Sequence, residues 1–184
     1  MLIKILLVAV AVLVVLCIAI ARRPSAFRIQ RSVIIAAPAS SIFAHLDDFH
    51  AWSAWSPYEK LDPNAVKTYS GAPAGTGSVF HYVGKKLGEG RMTIVDRRRN
   101  ELVAIKAEFV KPMAATNRIE FTLQPSNEGV VVTWSMVGRN SFAFKAFGMM
   151  VNMDQLVGKE FESGLADLKR LSEQEASRTV ARAY

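Results

Sequence analysis

The sequence predicts an α+β domain in which a curved antiparallel β-sheet wraps around one long C-terminal helix, preceded by a single transmembrane helix. Three observations lead to this prediction. Residues 5–21 carry no charged or strongly polar side chain. Four segments in the middle of the chain alternate apolar and polar residues, which is typical of strands with one covered face. Near the C-terminus, apolar side chains recur every three or four residues, which is typical of an amphipathic helix.

The apolar N-terminal segment predicts a transmembrane anchor over residues 1–23. A helix rises about 1.5 Å per residue, so the segment from Met1 to Ala21 can cross a hydrocarbon core of about 30 Å. Arg22 and Arg23 follow the apolar run directly. Because basic residues resist translocation, we predict a single-pass membrane protein with its soluble domain in the cytoplasm.

A cleaved signal peptide is the alternative interpretation of the same segment. Ala19-Ile20-Ala21 fits the small-x-small cleavage pattern, and Lys4 supplies a weak positive charge near the N-terminus. Under this interpretation the domain is exported. The only cysteine, Cys17, lies inside the apolar run, so cysteine usage does not distinguish the compartments.

Residues 24–174 form the predicted soluble domain, and residues 175–184 form a polar tail. The domain has a size at which a chain folds around one hydrophobic core. The formal net charge is +7, but only Arg97-Arg98-Arg99 forms a dense basic run. Neither a helix-turn-helix pattern nor zinc ligands nor an aromatic RNA-binding motif accompanies this charge, so we expect no nucleic-acid partner.

In the first part of the domain, the sequence predicts a strand, two short helices and another short strand. Residues 27–35 alternate before ending in an apolar run, which favours a strand. Pro38 is tolerated in the first turn of the helix that follows. Residues 49–56 predict a short helical turn that ends at Pro57, and residues 66–70 predict a short strand.

In the middle of the domain, the sequence predicts an antiparallel meander of strands. Each segment has an apolar row on one face and a polar row on the other, so the sheet is expected to be covered on a single side. Turn-forming residues connect the segments, as at Arg99-Asn100 and Asn127-Glu128-Gly129. The predicted strands span residues 89–96, 101–109, 117–124 and 129–138.

The C-terminal helix is predicted from residue 149 to residue 171. Its apolar side chains form one stripe, and charged residues lie between them. This helix is long enough to cover the apolar face of the sheet, which completes the predicted architecture.

Local sequence patterns also resemble a known superfamily. The patterns are RSVIIAAP at 31–38, WSAWSP at 52–57, GTGS at 75–78, GEGRMTI at 88–94, VTWSM at 132–136 and VGKEFESGLADLK at 157–169. In this order they resemble the START/Bet v 1-like superfamily, also called helix-grip or SRPBCC proteins. Within it, the chain looks most similar to bacterial polyketide cyclase/dehydrase-type proteins with an N-terminal membrane segment.

The resemblance implies an apolar cavity between the sheet and the C-terminal helix. From the residues alone, a cavity and a solidly filled core remain alternatives, and the resemblance favours the cavity. The expected ligand is a hydrophobic small molecule or lipid. The side chains expected to line its site are Trp55, Tyr58, Phe80, Tyr82, Met92, Ile94, Ile105, Phe109, Phe121, Trp134, Met136, Met150, Met153 and Phe161.

The sequence predicts no metal site and no cofactor. The three histidines, His45, His50 and His81, lack the spacing to other ligands that metal binding requires. We therefore expect the partners to be a hydrophobic small molecule or lipid and the bilayer, while the protein partners stay open.

The sequence also predicts no catalytic residue. His81 and Tyr82 are neighbours on a strand and point to opposite faces, and Arg91 and Arg118 fall on outer rows. No charged pair can thus be placed inside the cavity for acid–base work. We predict a membrane-anchored binding protein. Two alternatives stay open: a polyketide cyclase/dehydratase-like enzyme, and a non-binding interaction module with a filled core.

Overall fold

The structure, a computed structural model, describes residues 1–183, so Tyr184 at the end of the predicted polar tail lies outside the described residues. The element order is the predicted one, with two additional short helices. The helices are α1 (Leu2–Arg22), α2 (Ala39–Asp47), α3 (Pro57–Leu61), α4 (Phe142–Phe147) and α5 (Met153–Ala183), with a 3₁₀ turn at Ala51–Ala54. The strands are β1 (Ala26–Ile35), β2 (Val66–Gly71), β3 (Ser78–Gly84), β4 (Gly88–Arg98), β5 (Leu102–Lys111), β6 (Ala115–Ser126) and β7 (Gly129–Arg139).

The strands form one seven-stranded antiparallel sheet in the order β1-β7-β6-β5-β4-β3-β2. The sheet curves around α5, and this confirms the predicted fold class. Strands β2 to β6 each pair with the next strand in the sequence. In this sheet only β1 pairs with a strand that is distant in sequence, β7. The predicted turns are also present: Asn100 has a φ of 62° between β4 and β5.

The inner rows of the sheet and one face of α5 form a continuous apolar core. Phe161, Leu165 and Leu168 of α5 are buried against it. α5 packs most extensively on β1 and contacts α2 and α3 at its other side. The helix continues to residue 183, so the described part of the predicted polar tail is helical.

The connection between β7 and α5 differs from the prediction. The C-terminal helix begins at Met153 and not at residue 149, because the Gln155 amide donates a hydrogen bond to Asn152 Oδ1 (3.2 Å), as at a helix N-cap. The preceding residues form the separate helix α4, whose first turn is capped by the Ser141 hydroxyl, which accepts from the Phe144 amide (3.4 Å).

The segment between β1 and β2 also differs in one detail. Pro57 does not end a helical turn but occupies the first turn of α3, where its missing N–H has no helical partner to lose. The preceding 3₁₀ turn directs Trp52 and Trp55 into the core, where both are buried.

Helix α1 is long and apolar enough to span a membrane, and the same composition fits a signal sequence. It is exposed along its length except at Ile20, which is buried, and it contacts α4. Two hydrogen bonds join its C-terminal end to the domain. Arg23 Nη1 donates to the Gly148 carbonyl (3.1 Å), and Lys145 Nζ donates to the Ala21 carbonyl (3.2 Å).

Candidate ligand-binding cavity

A cavity of about 570 Å³ lies between the inner face of the sheet and the N-terminal half of α5. It occupies the end of the domain where β1 begins and β7 ends, close to α4. Most of its lining is apolar.

Eight predicted residues line this cavity and come from six elements that the sequence separates widely. α3 contributes one side chain, the inner rows of the sheet contribute five, and α5 contributes two. They are Tyr58, Phe80, Tyr82, Met92, Phe109, Met136, Met153 and Phe161.

The structure places six other predicted residues outside the cavity lining. Five of them are buried in the filled part of the core: Trp55, Ile94, Ile105, Phe121 and Trp134. The sixth, Met150, corrects the prediction, because its side chain is 88% exposed. It lies in the turn before α5 and not on the helix, so the expected helical stripe does not reach it.

An aromatic block fills the interior at the far end of the cavity. Phe121 has its ring centroid 4.9 Å from that of Trp134, and Trp134 stacks on Phe161 at 4.1 Å. Trp52 and Trp55 contact Phe121 edge-on, each at 5.9 Å. The interior therefore has two parts, a solid aromatic half and an empty apolar half.

Small residues explain why the second half stays empty. Ala115 and Val157 face it from β6 and α5, where longer side chains would fill the space. Gly90 lies under the Tyr82 side chain, and a Cβ at this position would clash with the Tyr82 hydroxyl. A Cβ at Gly138 would likewise clash with the Asn117 side chain. The absence of side chains at these points lets polar groups lie flat against the cavity wall.

Asn117, Tyr58 and Tyr82 bring polar groups to the mostly apolar lining. Asn117 is buried, its Nδ2 donates to Met136 Sδ (3.6 Å), and its Oδ1 has no hydrogen-bond partner. Burial raises the pKa of Tyr82 to about 12, and burial also raises the pKa of Tyr58 above its usual range. Both phenols therefore stay protonated at neutral pH. The three groups can exchange hydrogen bonds with a ligand, but neither phenol can act as a base.

An ion pair also lines the cavity, at its border with β2. Lys67 Nζ donates to Glu59 Oε2, and the two side chains are only 20% and 22% exposed. The sequence interpretation placed no charged pair inside the cavity. It missed this one because Glu59 lies on the short helix α3, which the sequence did not predict.

Arg31 positions the cavity wall that α5 provides. Its Nε donates to Glu162 (2.6 Å) and its Nη2 to Asp154 (3.0 Å), so the guanidinium spans two turns of the helix. Gly158 lies between these two carboxylates, and a Cβ there would clash with the guanidinium. The hydrogen bond from Arg31 lowers the pKa of Asp154 below its usual value. Arg31 thus fixes α5 against β1 beside the cavity.

The histidines lie apart from one another. His45 bonds Glu175 on α5 (2.8 Å), His50 bonds Asp48 (2.9 Å), and His81 faces Glu89 on the outer side of the sheet (3.8 Å). Within residues 1–183, no group of three or more histidine, cysteine or acidic side chains is arranged to hold a metal ion.

Several lining residues were absent from the sequence prediction. Phe27 and Asn117 continue the inner rows of β1 and β6, so their period-two position was the available signal. Phe144 and Phe147 line the cavity from α4, whose only signal was the serine at its N-cap.

A family model described as polyketide cyclase / dehydrase and lipid transport matches residues 26–173. This match confirms the resemblance found in the sequence. No curated protein matched the chain.

Solved structures are similar in fold. Protein CV1439 from Chromobacterium violaceum is 16% identical with a TM-score of 0.57, and the match covers 82% of this chain and 99% of that chain. The di-domain ARO/CYC StfQ from the steffimycin biosynthetic pathway is 12% identical with a TM-score of 0.64, covering 85% of this chain and 54% of that chain. Aha1 from Colwellia psychrerythraea, solved as a dimer, is 14% identical with a TM-score of 0.54, covering 78% and 96%. Similarity at these identities shows the fold alone.

Proposed function

Because the chain belongs to the polyketide cyclase / dehydrase and lipid transport family, we propose that it is a membrane-anchored protein that binds a hydrophobic small molecule or lipid in the cavity between the sheet and α5. The observation that carries this proposal is the apolar cavity of about 570 Å³. Ligand sites in proteins commonly have volumes of about 300–1,000 Å³ and mostly apolar linings.

The lining supports a ligand with a large apolar body and few polar groups. Burial of apolar surface contributes about 25 cal/mol per Å², so most of the affinity would come from contacts with side chains such as Phe80, Phe109 and Met136. The free Oδ1 of Asn117 would accept one hydrogen bond from the ligand. An unpaired buried polar atom is costly, so a ligand with a matching donor is favoured.

Helix α1 supports the membrane part of the proposal. Its length and composition fit a span, and Arg22 and Arg23 follow at its C-terminal end. A domain held at a membrane meets apolar molecules at the concentration they reach in lipid, which is far above their concentration in water. We propose the cytoplasmic side for the domain, because both arginines lie on that end of the helix.

A cavity-filling substitution tests the binding proposal. Ala115→Trp places an indole ring in the cavity, whereas Thr116→Trp places it on the outer face of the same strand. The full chain, purified in a mild detergent, is analysed by native mass spectrometry for a bound small molecule. It is also titrated with N-phenyl-1-naphthylamine, an uncharged apolar fluorophore.

We expect Ala115→Trp to lose the bound molecule and to weaken fluorophore binding about tenfold, which corresponds to about 1.4 kcal/mol. Thr116→Trp should behave as the unsubstituted protein. Equal binding by both variants would refute the cavity as the binding site.

The ion pair between Glu59 and Lys67 is the observation that favours an enzyme. The Glu59 carboxylate, paired with Lys67 at the cavity border, offers an oxygen that could accept a proton from a bound polyketide, as a cyclase or dehydratase requires. Glu59→Gln keeps the shape and removes this capacity. If the protein turns its ligand over, the small molecule bound to the variant should differ in mass from that bound to the unsubstituted protein, for example by one water. Equal masses would support binding without turnover.

A further inference from the structure

An exposed apolar surface lies at the point where α1 meets the domain. It is formed by α4 and the turn that follows, and we call it the α4 patch. Its members and their exposed fractions are Phe142 (51%), Phe147 (42%), Met149 (45%) and Met150 (88%). Contiguous apolar side chains at such exposure usually mark an interaction surface.

The position of the α4 patch relative to α1 indicates what covers it. Residues 2–21 of a helix rise about 30 Å, which matches the hydrocarbon core of a bilayer. The last turn of α1 therefore lies at the boundary between the hydrocarbon and the headgroups. α4 contacts α1, whose Ile20 is buried in this turn, and Lys145 donates to the Ala21 carbonyl, so α4 itself lies at this depth.

The charge around the α4 patch fits the same surroundings. Residues 140–153 contain no acidic side chain, and Lys145 lies among them. Arg22 and Arg23 are exposed beside it at the end of α1. Basic side chains around an apolar surface suit the interface of a membrane that contains anionic lipids.

The inner side of α4 faces the cavity. Phe144 and Phe147 line it, together with Met153 at the start of α5. A single short helix thus separates the cavity from the surface that we assign to the bilayer.

We propose that the α4 patch lies in the headgroup region of the bilayer that holds α1, and that ligand passes between this bilayer and the cavity beside α4. This inference rests on the proposed function, since it requires α1 to be a membrane anchor and the cavity to hold a ligand. It adds the surface that contacts lipid and the route of exchange.

Site-specific labelling of the full chain tests the contact with lipid. In a Cys17→Ser background, single cysteines are introduced by Met150→Cys, Glu128→Cys or Leu13→Cys and labelled with an environment-sensitive fluorophore. Glu128 lies in the β6–β7 turn, beside the end of β1 that is farthest from α1, and Leu13 lies in the middle of α1. The proteins are reconstituted in phosphatidylethanolamine/phosphatidylglycerol vesicles with and without nitroxide-labelled lipids.

We expect nitroxide lipids to quench the labels at Leu13 and Met150 several-fold more than the label at Glu128. Quenching at Leu13 with none at Met150 would overturn the inference and leave the anchor intact. No quenching at either position would overturn both the anchor and the inference. Equal quenching at all three positions would show adsorption without orientation and would also overturn it.

The route of exchange has a separate test. Met149→Asp/Met150→Asp charges the α4 patch at two residues that do not line the cavity. Transfer of N-phenyl-1-naphthylamine from vesicles to the protein is followed by energy transfer from tryptophan. We expect the transfer rate to fall several-fold while the amount bound at equilibrium stays the same. An unchanged rate would overturn the route, whereas the binding proposal is decided by the Ala115→Trp comparison.

Discussion

Two phenylalanines on neighbouring strands offer a direct test of the divided interior. Phe121 on β6 is fully buried, with its ring centroid 4.9 Å from that of Trp134 and 5.9 Å from those of Trp52 and Trp55. Phe109 on β5 is half-buried and lines the cavity. Truncation to alanine removes the same atoms at both positions but from different surroundings.

The expected costs differ because only one ring is packed on all sides. Phe121→Ala should cost about 3–5 kcal/mol, the range for a phenylalanine removed from a solid core, since a new void opens within the aromatic block. Phe109→Ala should cost about 1–2 kcal/mol, because the ring is partly exposed and the space it vacates joins a cavity that already exists.

Urea unfolding of the full chain in a nonionic detergent measures both costs. All three tryptophans, Trp52, Trp55 and Trp134, lie in the domain, so their emission reports its unfolding and not that of α1. Circular dichroism provides a second signal, because Phe121→Ala alters the surroundings of these indoles. A cost for Phe109→Ala equal to that for Phe121→Ala would mean that the interior is packed solid at both ends, and the reasoning about the cavity would fail.

Two further predictions concern the walls of the cavity. Arg31→Met should lower the urea midpoint at pH 7, because it breaks the hydrogen bonds to Asp154 and Glu162. The pKa of Asp154 is lowered from 3.8 in the folded protein, so its pairing with Arg31 stabilises the fold above pH 3.8. This stabilisation is lost as the pH falls through the lowered pKa. The variant should therefore lose less stability than the unsubstituted protein between about pH 5 and pH 3, and parallel curves would contradict this role. Gly90→Ala should cost about 1–3 kcal/mol, because the new Cβ meets Tyr82. The same change in a Tyr82→Leu background should cost clearly less, and an equal cost in the double-mutant cycle would rule out this contact.

The sequence was sufficient to predict the fold because nearly every strand has one covered face. In β6, for example, Ile119, Phe121 and Leu123 alternate with outward polar residues, and all three are buried. The same periodicity placed the five predicted lining residues of the sheet on its inner face. Phe80 and Tyr82 line the cavity, and His81 between them points to the other side of the sheet, as predicted.

Periodicity does not report how far along a strand the space is filled. Phe121 and Asn117 share the inner row of β6, yet the first lies in the aromatic block and the second lines the cavity. The difference depends on which helix or turn covers each position, and Trp52 and Trp55 reach Phe121 from a remote part of the chain. The spacing of residues within one strand does not show which helix or turn covers each position.

The connection from β7 to α5 was the part that apolar spacing described wrongly. Met149 and Met150 continue the apolar pattern of α5 towards the N-terminus, but Asn152 caps the helix and excludes them. Capping residues are local signals, and here they outweigh the apolar period. Met149 and Met150 are exposed and belong to the protein surface, not to the core.

The link between α1 and the domain is short, since α1 ends at Arg22 and β1 begins at Ala26. Three intervening residues span at most about 10 Å, and Arg23 is itself tied to the Gly148 carbonyl. With α1 embedded in a bilayer, a link of this length would not let the domain reach a second membrane. Under the proposed function, the domain would then exchange its ligand with the membrane that holds α1 and not with a distant one.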